Sequence, residues 1–134
     1  MPFVVDSSVA GGWVLPDERS ETATALGRQL EEAAGSVPDL FWHEMRNLLV
    51  LACRRGRLDP DFVLQALGKI ERLPLRTAAP GDTVAVVQLA LKHRLTAYDA
   101  AYLALALSER CPLGTFDREL RAAASAEGVA VLPA

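Results

Sequence analysis

Phe3-Val4-Val5-Asp6-Ser7-Ser8-Val9-Ala10 is a β-branched run that stops at a carboxylate, passes two hydroxyls and continues into an apolar segment reaching Leu15. That change of pattern predicts a buried strand feeding a helix. The same arrangement recurs near the other end. Leu113-Gly114-Thr115-Phe116 predicts a short strand ending at Asp117, a helix follows to Glu127, Gly128 stops it, and Val129-Ala130-Val131-Leu132 predicts a last strand.

Between these two strand-to-helix units the alternation continues. Pro16 and Asp17 break the first helix, and Ala23, Leu26, Leu30 and Ala33 then mark a second over Glu18 to Ala33. Gly35 to Asp39 suits a brief strand or turn. Phe41, Met45, Leu48, Leu49 and Ala52 share one face of a helix that ends near Gly56, and Asp59-Pro60 opens another running to about Glu71. Leu73 to Ala78 suits a strand, and Pro80 to His93 a helix. Thr96 to Arg110 predicts a helix apolar on nearly every side, hence one sandwiched in the core. Strands alternating with helices specify an α/β fold, a central parallel sheet flanked by helices on both faces, here as one domain over residues 1–134. No internal repeat, low-complexity tract or linker interrupts it.

Composition narrows the function classes. With 51% hydrophobic and 23% charged residues the chain falls among ordinary globular proteins. Fourteen Lys+Arg against 17 Asp+Glu give a net charge of -3, so no broad positive field announces a nucleic-acid partner. Only Lys69 and Lys92 are lysines; the remaining positive charge is arginine, whose planar fork suits phosphates and carboxylates. Cys53 and Cys111 are far apart in apolar surroundings and read as reduced core thiols, which fits the cytoplasm. The N-terminus lacks the basic start of a signal peptide, and the apolar stretch from Ala100 to Leu107 falls far short of the roughly 20 residues that span a bilayer, so no membrane association is expected.

The chemistry lies in the carboxylates. In an open parallel sheet, ligands bind beyond the carboxyl ends of the strands. Asp6 and Asp117 sit at two such ends, although each also suits a helix N-cap. Glu44 points to the edge of its helix's apolar stripe, between Leu48 and Leu51, where a salt-bridged boundary residue is the alternative. Asp99 is flanked by Leu103 and Ala106 on a helix with almost no polar face, and Thr96-Ala97-Tyr98-Asp99 also resembles a capping box. If the four converge, two charges about 5 Å apart repel by on the order of 3 kcal/mol at an effective dielectric of 20. A hard divalent cation, Mg²⁺ or Mn²⁺, removes that conflict. Zinc would prefer His and Cys, but His43 and His93 lack partners at zinc-like spacing and read as surface or boundary residues.

Four strings, Val4-Val5-Asp6-Ser7-Ser8-Val9, Trp42-His43-Glu44-Met45-Arg46-Asn47-Leu48-Leu49, Leu95-Thr96-Ala97-Tyr98-Asp99-Ala100-Ala101-Tyr102-Leu103-Ala104-Leu105-Ala106 and Leu113-Gly114-Thr115-Phe116-Asp117-Arg118-Glu119-Leu120, resemble in order the motifs of PIN-domain ribonucleases, above all the VapC-type toxins. The resemblance spans essentially the whole chain with all four acidic positions filled. It implies a PIN-like fold, a Mg²⁺ or Mn²⁺ site and endonucleolytic cleavage of RNA. It also implies an antitoxin partner and a homodimer. Asp6, Glu44, Asp99 and Asp117 match the family's acidic positions, and Ser7 and Thr115 its supporting hydroxyls. Lys92, Arg94 and Arg118 adjoin two motifs and are candidates for flanking phosphates, with solvated surface charges as the alternative, while Trp13 and Leu15 are candidates for a dimer surface, with core packing as the alternative for Trp13.

The expected reaction is phosphodiester hydrolysis at a carboxylate-held cation, with no protein nucleophile. Rival phosphotransfer folds lack their signatures: Ser8 stands where a haloacid-dehalogenase-like phosphatase needs its second Asp, and there is no Gly-rich Lys-Ser/Thr loop. A non-catalytic interaction module on the same scaffold is the other alternative.

Overall fold

The computed structural model describes residues 2–134. Among the described residues there are five strands: β1 (Val4–Val5), β2 (Gly35–Val37), β3 (Leu75–Thr77), β4 (Leu113–Gly114) and β5 (Val131–Leu132). All neighbours pair in parallel, in the order β3-β2-β1-β4-β5. Seven α-helices fill the connections: α1 (Ser7–Val14), α2 (Glu21–Glu32), α3 (Leu40–Arg54), α4 (Pro60–Glu71), α5 (Thr83–His93), α6 (Ala97–Glu109) and α7 (Arg118–Ala126). The expected α/β architecture is therefore present.

Two predicted boundaries move for identifiable reasons. Glu18 belongs to a 3₁₀ turn, Pro16–Glu18, and α2 begins only after Ser20, whose hydroxyl accepts from the Ala23 amide at 3.1 Å. Pro80 and Gly81 remain in a loop because Asp82 is the N-cap of α5, accepting from the Val84 amide at 2.9 Å. The ambiguous Gly35 segment is a buried strand, with Leu30 and Phe3 packed so closely on Gly35 that a Cβ there would lie 2.7 Å from Leu30 Cδ2. A glycine was needed to let β2 lie against its neighbours.

Chain direction decides where a ligand can sit. From β1 the chain steps through β2 to β3 on one side, then returns past β1 to β4 and β5 on the other. Parallel crossovers are right-handed, so reversing the direction of travel moves the covering helices to the opposite face. α1 to α4 pack on one another, while α6 lies on β1 and β4 and is covered by α5 and α7. The step reverses between β1 and β4, where Val5 is in register with Gly114. The residues that follow are Asp6 and Thr115, so the carboxyl-end crevice of the sheet opens between them.

The core is built from Phe3, which lies just before β1, and Val4 and Val5 of β1, with Phe41, Met45 and Leu49 of α3 and Tyr102, Leu103 and Ala106 of α6. The expectation that α6 is sandwiched holds for that face, but Tyr98 and Leu107 on the same helix are exposed. Cys53 and Cys111 are free thiols, half-buried rather than in the core, and burial together with Glu109 pushes the Cys111 thiol up. Leu15 is 2% exposed and belongs to the core, which corrects its assignment to a dimer surface. Trp13 is half-buried and its indole Nε1 donates to the Ala23 carbonyl at 2.6 Å, tying α1 to α2. No helix among the described residues is long and apolar enough to cross a membrane.

Candidate active site

Each of the four carboxylates sits at or near a helix N-terminus. Asp6 precedes α1, Glu44 is in the second turn of α3, Asp99 is in the first turn of α6, and Asp117 precedes α7. Unsatisfied amides and the helix dipole favour negative charge there, which offsets part of the cost of grouping acids.

Asp6 occupies the N-cap position of α1 but makes no side-chain cap bond. Its carboxylate is 4% exposed, and Oδ2 instead accepts from Ser8 Oγ at 2.7 Å and from Thr115 Oγ1 at 2.7 Å. Those hydroxyls are also acceptors. Ser8 Oγ receives the Phe116 amide at 3.0 Å, and Thr115 Oγ1 receives the Asp117 amide at 3.1 Å. The ends of β1 and β4 are thus laced together around one buried carboxylate. Arg121 holds the outer side of this junction, donating to the Thr115 carbonyl at 3.0 Å and the Pro133 carbonyl at 2.7 Å.

Asp117 is exposed and does cap its helix, accepting from the Leu120 amide through Oδ1 at 2.9 Å. Only that oxygen is engaged in the cap, so capping and ligation remain compatible. Asp99 shows half of a capping box: Thr96 Oγ1 accepts from the Asp99 amide at 3.0 Å, while among the described residues the Asp99 carboxylate accepts no reciprocal bond from the Thr96 amide. Glu44 has no arginine partner among the described residues. The buried Tyr102 hydroxyl of α6 donates to its Oε1.

The electrostatics join these groups. Burial first, and then the charges of Asp6, Asp117 and Glu44, together push the Asp99 carboxyl up to about 6 from 3.8, against an opposing hydrogen bond from Thr96. Burial also raises Glu44, as does the charge of Asp6, while hydrogen bonds from Tyr102 and Ser7 oppose the rise. Every candidate carboxylate is felt by Asp99. Nevertheless, no three acidic, His or Cys side chains among the described residues close into a ready ligand set. The four carboxylates are coupled through their charges without closing into a single ligand set.

Its donors suit a hard cation. They are carboxylate oxygens, and both imidazoles point elsewhere. Exposed His43 lies 3.2 Å from Asp39 and 3.0 Å from Arg46, whereas His93 Nε2 is 2.6 Å from Glu127. Of the candidate phosphate contacts, Arg118 is exposed beside Asp117 and Arg94 caps α5 in a left-handed conformation with φ 55°. Lys92 is drawn to Glu127 at 2.7 Å, so a phosphate would have to displace that partner.

Two site residues escaped sequence reasoning. Ser8, rather than Ser7, holds Asp6, since a helix starting at Ser7 turns the second hydroxyl back toward the sheet end. Ser7 faces Glu44 and Tyr102 instead. Tyr102 was visible only as part of an apolar helix, although its spacing of three from Asp99 places both on one face.

The PIN domain family profile matches residues 3–126. The chain belongs to the PIN-domain family. The matched span includes all four carboxylates and omits only the β5 end of the sheet. Among curated proteins the chain is similar to Ribonuclease VapC3 of Pyrobaculum aerophilum, 36% identical over 123 residues, which cover 90% of this chain and 92% of that protein. Among solved structures it resembles the crystal structure of PAE2754 from Pyrobaculum aerophilum, with a TM-score of 0.71 and 25% identity over 98% of this chain and 84% of that one.

Proposed function

We propose that the chain is a divalent-metal-dependent endoribonuclease of the VapC type, with Asp6, Glu44, Asp99 and Asp117 as the groups that hold Mg²⁺ or Mn²⁺. The observation that carries this reading is the position of Asp99, whose carboxyl is raised to about 6 by burial and by all three other acids at the carboxyl end of the sheet. Acids that destabilise one another at a ligand-binding crevice are a functional signature rather than a packing solution. The name of the similar Ribonuclease VapC3 agrees with it.

A bound Mg²⁺ or Mn²⁺ supplies Lewis acidity to a phosphoryl oxygen and to an attacking water. The chain's own groups do the rest. Ser8 and Thr115 fix Asp6, and Asp117 is held by its cap. Arg118 and Arg94 would meet flanking phosphates, and Ser7 would support Glu44. As a toxin, the chain would be restrained by an antitoxin that sets a cationic side chain among these carboxylates, and it would work as a homodimer.

Amide substitution tests the reading. Asp6→Asn, Glu44→Gln, Asp99→Asn and Asp117→Asn should each abolish or strongly reduce Mn²⁺-dependent cleavage of RNA, while Asp39→Asn and Glu71→Gln, at exposed positions outside the proposed set, keep it. The parent should gain about 2.7 kcal/mol of stability at a Mn²⁺ concentration 100 times its Kd. Equal cleavage by the four variants and the two controls would end this assignment.

A further inference from the structure

We propose that Tyr102 is a positioning residue whose hydroxyl holds the Glu44 carboxylate in the acidic crevice, ready for a divalent cation. The inference rests on the metal-site reading above and adds a group that reading does not contain. Its basis is a contact between two helices. Tyr102 is 0% exposed on α6, and its hydroxyl donates to Oε1 of Glu44 on α3.

A bland account is that a buried phenol needs some acceptor. Three observations favour a role in the site. Packing alone would be met by phenylalanine, since the ring is in the core and the hydroxyl is what reaches Glu44. The acceptor is a half-buried carboxylate that also feels the charge of Asp6, a repulsion that would drive a long, rotatable side chain outward toward water. Tyr102 also lies three residues after Asp99, so one face of α6 carries one carboxylate of the cluster and the holder of another. With the hydroxyl in place, ordering of Glu44 is complete on folding and need not accompany cation binding.

The test uses the full chain and Mn²⁺ alone as probe, followed by isothermal titration calorimetry. Tyr102→Phe should weaken Mn²⁺ binding by about 10- to 100-fold, the usual consequence of losing a group that orients a ligand. In a Glu44→Gln background the same change should alter affinity by less than about threefold, because the hydroxyl acts through Glu44. An unchanged Kd for Tyr102→Phe would overturn the proposal, and so would an equal loss in both backgrounds, which marks a general structural effect. If the parent binds no Mn²⁺, the metal reading itself fails and this one with it. Should Tyr102→Phe not fold, Tyr98→Phe leaves Tyr102 as the only tyrosine. Its near-ultraviolet absorbance should then change on Mn²⁺ addition, and this change should vanish with Glu44→Gln. Absence of any such change overturns the proposal equally.

Discussion

Replacing Asp99 by Asn should stabilise the metal-free protein, and the pH dependence of the gain follows from the crevice. Burial and three neighbouring acids raise its carboxyl to about 6, above the 3.8 of an unfolded chain. A raised acid favours the native state while protonated and is lost as a source of stability when pH climbs through the folded value. At 1.36 kcal/mol per pKa unit, the gap sets a ceiling of about 3 kcal/mol at neutral pH. Water reaches this half-buried side chain, so screening reduces the expected gain to about 1–2 kcal/mol, or roughly 3–8 °C in Tm for a domain of this size. Asn retains the shape, and the Thr96 cap bonds to the backbone amide of residue 99, so that bond is kept. Parent and Asp99→Asn should be unfolded by urea in EDTA at pH 7.5, 6, 5 and about 4. The advantage should be full at pH 7.5, shrink through about 6 and vanish near 4. An Asp99→Asn protein that is less stable than its parent at pH 7.5, or whose difference ignores pH, would refute the view that burial and the neighbouring acids raise this carboxyl.

Other perturbations test the frame that holds the crevice. Thr115→Val should cost about 1–3 kcal/mol by urea unfolding, because Asp6 loses a donor and the Asp117 amide an acceptor in a 0% exposed position, and Thr115→Ser should restore most of it. Leu15→Ala should cost about 2–5 kcal/mol through cavity formation, with no change in oligomeric state by light scattering that is separable from unfolding. Gly12→Ala should lower stability by about 1–3 kcal/mol, since its Cβ would stand 2.7 Å from Ala23 Cβ where α1 crosses α2, and a Tm at or above the parent's would contradict that packing.

What the sequence could disclose depended on the range of the signal. Val4-Val5-Asp6 and Leu113 to Asp117 state their own structure locally, through period and punctuation, and because parallel strands end in a common crevice, their carboxylates could be paired before any coordinates existed. Direction around a helix is equally local, which is why Glu44 and Asp99 stood out against apolar faces. Capping is local too, yet it divided the two strand-end acids: Asp117 caps and Asp6 does not, because Ser8 and Thr115, separated by 107 residues, claim the Asp6 oxygen first. No window along the chain contains that competition. Tyr102 was hidden for a related reason, since among Ala101, Leu103 and Leu105 an aromatic ring reads as packing, and only the arrival of α3 from 58 residues away gives its hydroxyl a carboxylate to hold. Leu15 failed in the opposite sense: it was expected as an exposed apolar residue of an early helix, whereas the 3₁₀ turn and α4 pack against α1 and Leu15 at its end is buried. The acids of this crevice can therefore be named from short-range patterns, whereas the neutral hydroxyls that aim them follow from long-range closure of the sheet.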